Sequence, residues 1–209
     1  MSVIVAVAAK AFGFDQHRVH SSEGRLTFGK CWRLFTDMNL QSNDFELFGL
    51  TVQFSQDRKA IDARWKELQG EAHPDKFAAQ GAAAQRIAMQ WSVRINEAYQ
   101  RLKQPLSRAS YICELYGAPI QAEKNTAMPT AFLMQQMAWR EALDEADTLQ
   151  TMEEIAATVS RSGHELLSKI EHVLDTEKNF IAAAHLVRSL MFIERFASEV
   201  DARIDHLAS

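Results

Sequence analysis

The sequence predicts an all-α protein. Apolar residues recur at helical spacing along most of the chain from Asp44 onward, no stretch alternates apolar and polar residues as a half-buried strand would, and turn-forming residues are few. With 209 residues, 47% of them hydrophobic and 24% charged, the chain has enough apolar material for one large or two small cores.

Residues 1–42 stand apart. They hold Gly13, Gly24 and Gly29, scattered histidines His17 and His20, and no sustained helical period. The small apolar run at the start has no positive charge before it, unlike a secretory signal, and Asp15, Glu23 and Asp37 speak against a transit peptide. The segment reads as a disordered extension or a stretch ahead of the functional start, and Met38 stands just before the first organised element. His17, His20 and Cys31 would need a fourth ligand to hold a metal, and none is evident.

Phe45, Phe48 and Leu50 form one or two helical turns. Ser55 or Asp57 can cap the next helix, whose apolar stripe is Ile61, Trp65, Leu68 and Ala72. Its other faces carry Arg58, Lys59, Arg64 and Lys66. A later helix repeats the spacing with Ile87, Trp91, Ile95, Ala98 and Leu102, so the two predict an antiparallel hairpin over 43–104 with both tryptophans in its core. Residues 105–129 read as a connector with a short helix around Ser110–Tyr116 and a breaker at Gly117-Ala118-Pro119. Residues 130–209 carry three long helical patterns, a three-helix bundle. The first has Phe132, Leu133, Met137 and Leu143; the second runs from Ile155 to Val173, with Gly163 as a weak point; the third runs from Phe180 to Ile204.

Between the hairpin helices lies His73-Pro74-Asp75-Lys76. Proline ends the helix before it and turns His73 away from the α region, leaving an imidazole, a carboxylate and an ammonium group at an exposed tip. A histidine beside a carboxylate can act as a general base, but the neighbours Ala72, Phe77, Ala78 and Ala79 offer no nucleophile or metal ligand. No phosphate-binding glycine loop or paired-histidine zinc motif occurs elsewhere, and Cys31 and Cys113 have no metal-ligand spacing. These observations point to a recognition loop, with no enzyme activity, cofactor or metal. Net charge is −4, divided as +3 up to Ala122 and −7 from Glu123, without the basic stripe of a nucleic-acid binder. No apolar run is long enough to span a bilayer, and cysteine usage suits a reducing cytoplasm.

His73-Pro74-Asp75 between two such helices resembles the J-domain, the module by which co-chaperones stimulate ATP hydrolysis in DnaK-type chaperones. Phe45-Glu46-Leu47-Phe48-Gly49-Leu50 and Ile95-Asn96-Glu97-Ala98-Tyr99 extend the likeness over residues 44–104. A more specific resemblance is to the HscB family of iron–sulfur co-chaperones. It rests on Phe132-Leu133-Met134-Gln135-Gln136-Met137, Arg140-Glu141-Ala142-Leu143-Asp144-Glu145, Pro105-Leu106 and Arg108-Ala109. The family pattern begins about where Met38 stands. The resemblance implies two partners, a DnaK-type chaperone (HscA) and a cluster scaffold (IscU). It assigns His73, Pro74, Asp75 and Lys76 to the chaperone, joined by Arg58, Lys59, Arg64 and Lys66, which would meet an acidic surface. It assigns Leu133, Met134, Met137, Glu141, Glu145 and Phe192 to the scaffold, with Ala138 standing where relatives can carry an acid. The alternatives are a general J-domain protein serving other clients, an enzyme built on His73 and Asp75, and a purely structural helical scaffold.

Overall fold

Asn43 starts the first helix, and the chain there closes a reciprocal cap. Its side chain accepts the Glu46 N–H at 2.9 Å, while the Glu46 carboxylate accepts the Asn43 N–H at 3.2 Å. The computed structural model describes residues 41–121 and 128–208. The expectations for residues 1–40, with His17, His20 and Cys31, therefore lie outside the described residues. Among the described residues there is no strand. The helices group into two compact units: one is built from 41–51 and 56–103, the other from 52–55 and 104 onward.

In the first unit, α1 (Asp44–Phe48) ends at Gly49, whose φ of 65° suits a residue without Cβ. Asp57 caps α2 (Arg58–Glu71) by accepting the Lys59 N–H at 2.9 Å. A 3-10 turn (Pro74–Gln80) leads to α3 (Ala82–Lys103). α3 buries Ala84, Ala88, Trp91, Ile95, Ala98 and Leu102, a stripe that advances three or four residues at a time. It packs against α2, which buries Ile61 and Leu68, with Ala72 buried just past its end. Cross-links between Ala72 and Ser92, Trp65 and Asn96, Asp62 and Tyr99, and Arg58 and Lys103 run in opposite directions along the two helices. The hairpin is antiparallel, as its stripes require. Trp65 departs from the expected core position. It is half-buried, its indole N–H donates to Asn96 at 2.9 Å, and its ring stacks on Tyr99 at 4.7 Å. An indole needs a partner for its N–H, and the hairpin edge supplies one. α1 is pinned by charge: the buried Asp44 carboxylate meets Arg94 at 2.6 Å and Arg101 at 3.2 Å, and Arg94 also donates to the Ser42 carbonyl.

In the second unit, α4 (Pro105–Leu115), α5 (Thr130–Glu145), α6 (Leu149–Glu171) and α7 (Phe180–Ala208) follow in order. The core is Trp139, Leu143, Met152, Val159, Ile193, Phe196 and Val200. The stretch expected to be a connector is more structured than its composition suggested. Its helix starts at Pro105, where proline suits the first helical position, and buries Arg108, Ala109, Ile112 and Cys113. α4 lies against α7, with Tyr116 stacked on Phe180 at 3.9 Å and buried Arg188 donating to the Ile120 carbonyl at 2.9 Å. Residues 52–55 join this unit. The Asp175 carboxylate accepts the N–H groups of Phe54 (2.7 Å) and Ser55 (2.8 Å), and Phe54 is buried under the Arg108 guanidinium. Asp175 sits in a single wide turn, His172–Thr176, that ends α6.

Gly163 does not break α6, which runs unbroken through it. A Cβ there would meet Ile193 at 3.6 Å, an ordinary contact. Gly163→Ala is therefore expected to stabilise the chain by about 0.5–1 kcal/mol, because alanine restricts the unfolded chain and fits the helix. A denaturation midpoint that falls would contradict this. Cys113 is buried, and that desolvation pushes its thiol up to about 11. The raised value stabilises the fold fully below the usual thiol value near 9 and is lost as pH rises from 9 toward 11. In a Cys31→Ser background, iodoacetamide should label folded Cys113 far more slowly than the denatured chain at pH 8; equal rates would show the thiol to be open.

Candidate functional site

The loop after α2 is built by its own backbone. His73 has extended dihedrals and caps the 3-10 turn, its Nδ1 accepting the Asp75 N–H at 3.3 Å. Pro74 takes the first position, where it has no N–H to leave unpaired, and the Lys76 N–H donates to the His73 carbonyl at 3.1 Å. Phe77 anchors the turn in a small apolar cluster with Ala84 and Ala88. Sequence reasoning passed over Phe77, although its spacing from the alanines on α3 was there to be read. The result is a fixed turn with solvent-facing chemistry. His73 and Lys76 are exposed, and the Asp75 side chain is 88% exposed, its nearest ionic neighbour being His73 Nδ1 at 3.6 Å.

The basic residues of α2 and of the turn divide into two kinds. Arg58 donates to Asp62 at 2.8 Å, Arg64 to Glu67 at 2.7 Å. The Arg58 guanidinium, and after it the Tyr99 hydroxyl, hold the Asp62 carboxyl below the usual carboxylate range, and Arg58 is raised in return. Lys59, Lys66 and Lys76 are exposed and form no ion pair among the described residues. Of the cations singled out from the sequence, these three stay exposed and outside ion pairs among the described residues, a division that sequence spacing could not make.

On α5 the inward side is half-buried Phe132 with buried Trp139 and Leu143. Leu133 (47% exposed), Met134 (66%) and Met137 (61%) face outward, so Leu133 and Met137 of the apolar pattern are not core. Glu141 and Glu145 continue that outward row at four-residue spacing and are exposed. α5 and α7 run in the same direction. Met128 meets Ser189, Trp139 stacks on Phe196, and Asp144 pairs with Arg203. That register sets Phe192 at the level of Leu133, and Phe192 and its neighbour Met191 are both exposed. These large apolar side chains stand in water, so this side of the bundle is a candidate surface for a partner. Among the described residues no group of three or more His, Cys, Asp or Glu is placed to hold a metal, and no helix is long and apolar enough to cross a membrane.

The comparisons with known proteins agree with one another. A family model described as the HSCB C-terminal oligomerisation domain matches residues 128–201. The co-chaperone protein HscB homolog of Burkholderia multivorans is 46% identical over 173 residues, covering 81% of this chain and 98% of that protein. The homolog of Burkholderia cenocepacia is 47% identical over the same length. Among solved structures, chaperone HscB from Vibrio cholerae superposes with a TM-score of 0.70 at 34% identity, covering 79% of this chain and 99% of that one. The human co-chaperone HscB, with a TM-score of 0.75 at 23% identity over 79% of this chain and 84% of its own, shares the fold. With 46% and 47% identity to the two Burkholderia co-chaperones over 173 residues, along 98% of their length, the chain belongs to the HscB co-chaperone family.

Proposed function

We propose that this co-chaperone binds an iron–sulfur cluster scaffold of the IscU type and presents it to a DnaK-type chaperone of the HscA type, whose ATPase it stimulates. In this reading residues 43–104 are a J-domain, residues 130–209 are the scaffold-binding bundle, and the protein works in the cytoplasm with no cofactor and no turnover of its own. The observation that carries it is the exposed Asp75 carboxylate on a turn held by its cap and by Phe77. A carboxylate presented in a fixed direction beside open lysines fits a cationic group on a partner, in a charge-assisted contact of the stronger kind. The hydrolysing machinery then belongs to the chaperone, and this chain supplies the trigger.

The test is the steady-state ATPase of the cognate DnaK-type chaperone, with and without this protein and with and without scaffold. Stimulation that grows with scaffold supports the whole reading. Stimulation indifferent to scaffold keeps the J-domain and removes the iron–sulfur role, leaving a general J-domain protein. No stimulation overturns both. For the bundle, Leu133→Ala with Met137→Ala is expected to weaken scaffold binding by about 2 kcal/mol or more, since both side chains stand exposed and ready to be buried. Calorimetry showing unchanged affinity would move the patch elsewhere. The matched model's description as an oligomerisation domain gives the same face a second reading, self-association. A dimer in sedimentation velocity that the double variant abolishes would favour it.

A further inference from the structure

We propose that the outer face of α3 is the docking surface for residues 37–40 of the same chain, with Leu40 and Met38 seated on Val93 and Met89 and Asp37 paired with Arg86.

α3 turns its buried stripe toward the other helix of the hairpin, the 3-10 turn and α1. On its other side Arg86, Met89, Gln90, Val93, Arg94 and Glu97 line an open groove of about 450 Å³. Steps of three and four residues put them on one helical face. Met89 and Val93, one turn apart, are 58% and 53% exposed, and neither belongs to the surfaces assigned above to the chaperone or the scaffold. Two large apolar side chains side by side in an open groove fit an apolar occupant.

The first described residues lead into this groove. Arg94, part of its lining, donates to the Ser42 carbonyl at 2.9 Å. Asp44 reaches both Arg94 and Arg101, whereas Ser42 meets Arg94. Followed backward from α1, the chain therefore travels toward the start of α3, in the direction of Val93, Met89 and Arg86. From Val93 to Arg86 the helix rises about 10 Å, the span of three or four extended residues. Leu40 to Asp37 is that length. Alternate side chains of an extended segment point the same way, so Leu40 and Met38 can both face α3. Their spacing of about 6.6 Å compares with about 6 Å between Val93 and Met89. Asp37 then comes level with Arg86, an exposed cation outside the ion pairs found among the described residues. A segment tethered at the mouth of the groove has an effective concentration on the order of millimolar, which favours it over the same contacts made by a second molecule.

In the full chain, methyl nuclear Overhauser spectra should place Leu40 against Val93 and Met38 against Met89. Val93→Lys changes only the exposed side of α3 and is expected to abolish both contacts. Met38→Ser with Leu40→Ser touches no helix, and should likewise remove them and shift the Val93 methyl signals while the signals of buried Ile95 and Leu102 stay in place. Absence of these contacts in the wild-type chain, or their survival in Val93→Lys, overturns the proposal. Contacts found only between differently labelled copies would mean that a second molecule supplies the segment, and would overturn docking within the chain.

Discussion

Replacing Asp75 by asparagine is expected to reduce chaperone ATPase stimulation by at least about tenfold, with scaffold affinity and thermal stability unchanged. Asparagine keeps the size and shape of the side chain, removes its charge and turns one acceptor oxygen into an amide donor. Among the described residues the carboxylate has no ionic neighbour beyond His73, and it is almost wholly in water, so folding loses little. What is lost is the charge-assisted contact to a partner cation. Binding titrations with scaffold and a melting curve should run alongside the ATPase assay. If stimulation survives the substitution, Asp75 is not the trigger; if the melting midpoint falls as well, the residue is structural and the loop has been misread.

The second large effect is expected at Asp44, a residue with no part in recognition. Its carboxylate is fully buried and held by Arg94 and Arg101. Asp44→Ala leaves two guanidinium groups facing an apolar gap, and breaking such a pair costs about 3–5 kcal/mol. Both arginines keep some access to water, so the low end, about 3 kcal/mol, is expected. For a unit this small that is a large share of its stability. Hydrogen exchange followed by mass spectrometry should show protection lost across α1 to α3 and kept in α5 to α7. Unchanged protection in α1 would mean that its apolar residues, Phe45, Leu47 and Phe48, suffice to hold it.

Helix after helix was legible because burial repeats at 3.6 residues: the α3 stripe from Trp91 to Leu102 and the capping Asp57 follow from spacing and side-chain chemistry alone. So was the turn, since proline in a helical pattern forces a break and leaves its polar neighbours outside. Other features were hidden from local reasoning. Residues 105–121 hold enough proline and glycine to look like a linker, yet α4 is ordered by what α7 offers it, Phe180 for Tyr116 and Arg188 for the Ile120 carbonyl. Phe54 and Asp175 are far apart in the chain, and nothing in either neighbourhood announces the other.

What the sequence determined by itself was the helical class, the hairpin with its exposed tip, and the family. All of these rest on local periodicity and short motifs, which need no knowledge of what packs where. Tertiary structure alone decided which members of a stripe are core and which are surface. Leu133 and Met137 share a helix with Trp139 and Leu143, but α6 and α7 cover only one side of it. It also decided which cations are spent on internal pairs, because Arg58 finds both Asp62 on its own helix and the end of α3 across the hairpin. Periodicity states that a helix has a face to bury; the neighbours that fold against it settle where that face ends.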